Sequence, residues 1–257
     1  MNQTLEVRPW PVDLDTNFPI LHLLHPRRYT WAAVISLAIG LALGITAMWV
    51  GGVQRWVATS IVILVILPVA VLKFRDDRRL YGGMVMLMSI LLTTQGAHTI
   101  EHIVQWVQYH LLYWTMRQSN GLLSAANAEW VHFVWNWAVL IVVVTLMVRG
   151  LHNGWAYLLL AITVAHTFEH TYLFIRHLEV LSELKQLGVT TVTAQGLPGI
   201  LGRDGWLARS VFTQGTFLCS LPGLTTATRL DVHFWWNVIE MSLLLAAGHV
   251  YLRQRAR

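Results

Sequence analysis

The sequence predicts an all-α integral membrane protein, and three observations carry the prediction. Hydrophobic residues make up 55% of the 257 positions and charged residues 12%, about half the roughly 25% charged content of soluble domains. Several stretches supply the roughly 20 mostly apolar residues that a helix rising ~1.5 Å per residue needs to cross the hydrocarbon core. The third observation is that ionisable residues inside those stretches fall into two copies of one pattern, not at scattered positions.

Six spans can be read in order: Trp31 to Val50, Trp56 to Leu72, Gly82 to Trp106, Trp130 to Val148, Trp155 to Ile175 and Val232 to Leu252. Tryptophans at or near several ends fit an interfacial aromatic belt. Basic residues flank the short connections: Arg27 and Arg28 before the first span, Lys73, Arg75, Arg78 and Arg79 after the second, Arg149 after the fourth, and Arg253, Arg255 and Arg257 at the end. In a six-span arrangement all lie on one side, which the positive-inside rule makes cytoplasmic together with both termini. The expectation is a multi-pass protein of a bacterial inner or plasma membrane. Residues 1–30 form a cytoplasmic or interfacial segment and 31–80 a two-helix anchor. Residues 81–257 form a duplicated four-helix bundle with outer connections 107–129 and 176–231.

Composition also excludes some classes of function. The formal charge of +5 sits in short runs beside apolar segments, where it orients helices and does not mark a nucleic-acid surface. With Cys219 as its one cysteine, the chain makes no internal disulfide and no thiolate cluster, so a metal has to use histidine and carboxylate. Met1 to Tyr29 contains Pro9, Pro11, Pro19 and Pro26 and no long apolar run, which predicts that the first membrane helix stays as an anchor. Trp10, Phe18, Leu21 and Leu24 fit a segment lying along the membrane surface. Apolar spacing from Thr171 to Leu187 predicts that the fifth helix continues past the membrane and stops at Gly188. Ala194 to Gly223, rich in glycine with Pro198 and Pro222, predicts a structured loop or lid.

The duplication is the informative feature. Ala97-His98-Thr99-Ile100-Glu101-His102 recurs as Ala165-His166-Thr167-Phe168-Glu169-His170, with five of six residues identical. A second string follows each copy, Val131-His132-Phe133-Val134-Trp135-Asn136 and Val232-His233-Phe234-Trp235-Trp236-Asn237. A Gly-Leu pair precedes each second string (Gly121-Leu122 and Gly223-Leu224), and an acid lies just before it (Glu129 or Asp231). Residues at i, i+3 and i+4 share a helix face, so His98, Glu101 and His102 project together, as do His166, Glu169 and His170. In the six-span arrangement all four motifs reach the same depth, beneath the outer connections.

A charged carboxylate at the bilayer centre costs roughly 2.5–3.5 kcal/mol on insertion scales and needs partners. Each glutamate beside two histidines is therefore expected to face a cation. The predicted ligands are His98, Glu101, His102, His132, His166, Glu169, His170 and His233, more than one tetrahedral zinc requires. Two transition-metal ions are expected, iron or copper ahead of zinc, with Glu101 and Glu169 as bridging or catalytic groups. Asn136, Asn237, Glu240, Asp231 and Glu129 are expected to support the ligands from behind.

The leading functional expectation is a metal-dependent oxidoreductase or oxygenase acting on an apolar, membrane-dissolved substrate. The lipid bilayer, and in some readings other membrane proteins, are its partners. A non-enzymatic metal carrier or electron-transfer subunit holding haem b, and a zinc-dependent membrane hydrolase, are the alternatives. His-x-x-Glu-His also resembles the zinc motif of the inverzincin peptidases, but those are soluble enzymes with a single such site.

Overall fold

The computed structural model describes residues 18–123, 128–189 and 196–255. Trp10, Arg257, most of segment 1–30 and the first two residues of the expected lid lie outside the described residues. Helices α1 (Pro19–Leu24), α2 (Thr30–Gly51), α3 (Arg55–Tyr81), α4 (Gly83–His110), α5 (Glu129–Val148), α6 (Gly154–Gln186), α7 (Trp206–Arg209) and α8 (Arg229–Arg255) follow in order, with no strand among the described residues. Five of them, α2 to α6, are long and apolar enough to cross a membrane. Helix α8 is as long as α3 at 27 residues but falls outside that set. It buries His233, Asn237 and Glu240 in the interior of the protein, and these polar residues lower its mean hydropathy.

Helices α2 and α3 form an antiparallel pair joined through Gly52, whose φ of 62° is left-handed. Their contact uses the small-residue spacing Gly40 and Gly44. A Cβ on Gly40 would meet Val62 Cα at 3.0 Å, and one on Gly44 would meet the Ala58 carbonyl oxygen at 3.0 Å. Close backbone approach through small residues is how helices associate where lipid removes the hydrophobic drive between them. These two glycines are the buried residues of α2, while Trp31, Trp49 and Val50 are exposed, as expected of a face turned to acyl chains.

The inner end of α3 is held by charge. Asp77 is fully buried, pairing with Arg27 and, at 2.6 Å, with Lys73. Lys73 Nζ also donates to the Leu23 carbonyl at 2.6 Å and to the Ser89 hydroxyl. Lys73 is thus a buried tie between α1, α3 and α4, and the exposed basic residues at this end are Arg75, Arg78 and Arg79.

Helices α4, α5, α6 and α8 enclose the core. Helix α4 packs on α8, α8 on α6 and α6 on α5, while α4 and α5 touch at fewer positions. Met88, Leu92, Val143, Leu146, Leu159 and Leu244 fill the inner half. Ile20 of α1 closes it from below, against Gly248 of α8. Helix α6 runs well beyond the other spans and stops before Gly188, whose φ of 69° breaks the helix. Residues 196–228 form a compact connection tied to the start of α8: Gly202 N donates to Leu224 O at 2.6 Å and Arg203 N to Ala227 O at 2.8 Å.

Replacing Gly44 with Leu should force α2 away from α3 and destabilise the protein by roughly 1–3 kcal/mol, as overpacking does. Gly51→Ala, where a Cβ would meet only Val53 Cγ1 at 3.7 Å, should leave the unfolding temperature in detergent nearly unchanged. Equal thermal midpoints for the two variants would contradict this packing.

Candidate metal centre

Four helices bring six imidazoles into one space. His98 and His102 stand on successive turns of α4, His166 and His170 on successive turns of α6, and His132 and His233 in the first turns of α5 and α8. Within the first repeat, ring centroids are 4.7 Å (His98–His102), 5.4 Å (His98–His132) and 5.6 Å (His102–His132) apart. In the second, His166–His170 is 4.9 Å and His170–His233 5.0 Å. The trios abut through His132 stacked on His170 at 5.0 Å and His102 facing His233 at 5.8 Å. All six are buried except His98, which is half-buried.

The ring nitrogens show how the imidazoles are aimed. His166 Nδ1 lies 3.1 Å from Glu240 Oε2, His233 Nδ1 2.8 Å from the Arg229 carbonyl, and His102 Nδ1 3.0 Å from Gln105 Oε1. A carboxylate and a carbonyl only accept, so in the neutral rings of His166 and His233 the proton sits on Nδ1 and Nε2 keeps its lone pair. The buried Nε2 atoms of His98, His102, His132, His166 and His170 have no hydrogen-bond partner. Buried polar atoms are almost always paired; His102 and His166 are anchored at Nδ1 with Nε2 free, the arrangement of a metal-ligating histidine, while His132 and His170 have neither ring nitrogen paired. One ligand atom from each of His98, His102 and His132 lies within 4.8 Å of the others, a group able to hold a metal ion. Neutral imidazole suits zinc, copper, iron and nickel.

The carboxylates take other work. Glu101 accepts the Leu122 amide on Oε2 at 2.8 Å and the Leu123 amide on Oε1 at 2.9 Å. Glu169 accepts the Ile200 amide at 3.0 and 3.1 Å and the Leu201 amide at 3.4 and 3.3 Å. Each glutamate is thus a clasp that holds the outer connection after its own helix. The group of mutually close ligand atoms contains neither of them. The loop amides thus give each carboxylate a hydrogen-bond partner at that depth.

The clasp also re-pairs the glycines. Gly121 is left-handed with φ 72°, and a Cβ there would overlap the Glu101 carboxylate. Gly199 is the residue whose Cβ would overlap Glu169. Gly199, not Gly223, is therefore the structural counterpart of Gly121; Gly223 has open space around it.

Of the expected supporting residues, Glu240 reaches a ring directly. It also accepts Gln95 Nε2 at 3.0 Å and Thr163 Oγ1 at 2.8 Å. Asn136 and Asn237 each donate to the carbonyl of the histidine one turn earlier, at 2.9 Å in both copies. Glu129 pairs with Arg229 at 2.6 Å. Asp231 pairs with His110 at 2.7 Å and accepts the Thr228 hydroxyl at 2.7 Å, away from the rings. Gln95, Gln105 and Arg229 were not singled out in the sequence, although they stand three or four residues from His98, His102 and His233 and so share their helix faces. A cavity of about 160 Å³, lined by His102, Gln105, His132, Arg229 and His233, opens beneath Ser119, Asn120 and Gly196 of the outer connections.

The fold and this site define an all-helical protein of membrane type with a buried histidine cluster able to bind metal. The chain matches no protein-family model, and no curated protein or solved structure is similar to it.

If Glu101 is a loop clasp, Glu101→Gln should speed hydrogen exchange at the Leu122 and Leu123 amides roughly tenfold or more, since hydrogen bonds to charged groups contribute ~1.5–3 kcal/mol. Bound metal should stay within a factor of two. Loss of metal with unchanged exchange would make Glu101 a ligand instead.

Proposed function

We propose that this protein is a membrane metalloprotein with two metal positions. His98, His102 and His132 would hold one ion and His166, His170 and His233 the other, in a metal-dependent oxidoreductase acting on an apolar, membrane-dissolved substrate. The observation that carries the reading is the set of buried Nε2 atoms without partners, contributed by α4, α5 and α6 to one space. Redox-active ions held by three imidazoles each would carry electrons from the substrate to a small oxidant. The chain's own part is to fix His102, His166 and His233 through Nδ1, leaving Nε2 to face the ion, and to surround the site with apolar helices. Ions are preferred to haem b because the rings pack directly on one another, stacked or edge-on, with no macrocycle-shaped gap between facing histidines.

The same proposal takes α8 as a sixth span and α4–α5 and α6–α8 as repeats of one unit related by a pseudo-twofold axis. Its support is the order of matching motifs and the length of α8, 27 residues, or about 40 Å at ~1.5 Å per residue. Outward-facing Trp235 and Ile239 are exposed, so its outer face remains apolar. In this reading the positive-inside rule would make both termini cytoplasmic and turn the site toward the outer face.

Purified protein should contain about two transition-metal ions per chain by elemental analysis, with absorption and EPR spectra distinguishing iron, copper and zinc. His98→Ala and His166→Ala should each remove about one ion. Stoichiometric haem and no other metal would overturn the proposal. Glu240→Gln, which weakens the anchor on His166, should lower metal affinity roughly 10- to 100-fold. A membrane-impermeant chelator should inhibit right-side-out vesicles and act much more slowly on inverted ones; the reverse preference would invert the topology.

A further inference from the structure

The two halves of the site share a sequence pattern but not an environment. In the second half, His166 is fully buried. Its ring lies flat on Trp236, at 5.2 Å and 8°, and its Nδ1 is held by Glu240. Helices α6 and α8 pack closely around it. In the first half, the tryptophan at the matching position, Trp135, sits 5.6 Å from His98 and tilted by 44°, so it does not cover the ring. The position matching Glu240, three residues after the asparagine, is Val139, part of the apolar core. His98 therefore has no such carboxylate behind it.

Where α6 and α8 close, α4 and α5 splay. Between them lies a cavity of about 260 Å³ lined by Thr94, Ala97, His98, Glu101, Leu123, Val131, His132 and Trp135. The Glu101 oxygens are turned to the Leu122 and Leu123 amides, which they accept. Ala97 and Val134, near its rim, are exposed on the outer surface of the helices, which in a membrane faces acyl chains. The volume is below the roughly 300–1,000 Å³ of sites for drug-sized ligands. It suits a short hydrocarbon or a single small ring and not a lipid.

We propose that the His98–His102–His132 half is the ligand-exchanging half, reached sideways from the membrane through the α4–α5 cleft by small uncharged apolar molecules, and that the His166–His170–His233 half has no such lateral opening. This rests on the metal-binding reading and assigns its substrate class and route. The cavity beneath the connections carries the charged Arg229 and reaches His102, His132 and His233. It gives water and small polar species a separate path, so an apolar molecule and a polar co-reactant meet at the first half from different directions.

The test uses the full chain in lipid nanodiscs loaded with Co²⁺ and titrated with 4-phenylimidazole, an apolar probe whose nitrogen can ligate cobalt. One equivalent per chain should perturb the cobalt absorption bands. Ala97→Phe, which fills the cleft, should weaken binding at least tenfold. Ala165→Phe, the same change at the matching exposed position of the other repeat, should leave affinity within a factor of two, and both variants should retain the wild-type cobalt content. Equal weakening by the two variants, no weakening by Ala97→Phe, or two equivalents of probe per chain would overturn the assignment of the lateral opening to the first half. A cobalt content of one per chain with the Ala97→Phe effect intact would overturn the two-ion reading alone.

Discussion

Three helices meet on the carboxylate of Glu240, which comes from α8, accepts Thr163 and faces His166 on α6, and accepts Gln95 on α4. Gln95 in turn accepts Trp135 Nε1 of α5 at 3.0 Å, so the network spans all four helices around the cluster. A charge at this depth is tolerated only when its hydrogen bonds are satisfied. That requirement sets the rotation of each helix about its axis, because a turn of any of them would leave the carboxylate or its donors unpaired. The register of the histidines follows from it. With α4, α6 and α8 fixed at the level of Glu240, the rings one and two turns further out converge.

A second set of carboxylates works at the outer edge of the same helices. Along α4 the sequence His98, Glu101, His102 divides its labour: the two histidines enter the cluster, and the acid between them reaches the amides of residues 122 and 123. Helix α6 repeats the division with amides 200 and 201. The connections above the site are thus tied to the helices that carry the rings. Any shift of these loops is coupled to the histidines through one turn of helix, and the cavity beneath the loops is shaped by the motif that builds its floor.

Duplication supplies two equivalent frames, and a few substitutions make them unequal. Thr163 stands where the first repeat has Gln95, and Glu240 where it has Val139. These exchanges give the second half a buried charge and a tight α6–α8 contact, and they leave the first half with an apolar gap. Under the two-ion proposal, such asymmetry would let one ion be held firmly while the other exchanges ligands, a division a perfectly repeated site could not make.

The helices and the histidines were legible in the sequence because both signals are local. Twenty apolar residues mark a span wherever it packs, and His98 with His102, or His166 with His170, share a face by helical geometry alone. The repeat itself was also plain in the order of its motifs. What Glu101 and Glu169 hold was not legible. Their partners are loop amides 21 to 32 residues away, and a carboxylate takes whichever donor the chain's path brings to it. The same long-range path substitutes Gly199 for Gly223 as the partner of Gly121, although the sequence pairs the latter two by their leucines. Lys73 likewise reads as a flanking charge but is buried on Asp77, because only the placement of α1 and α4 reveals the carbonyl and hydroxyl that receive it. The sequence by itself determined which residues lie in helices and which faces carry the imidazoles. The tertiary structure alone decided which polar groups satisfy one another and which interface stays open, since both depend on distances between helices and loops that no local periodicity encodes.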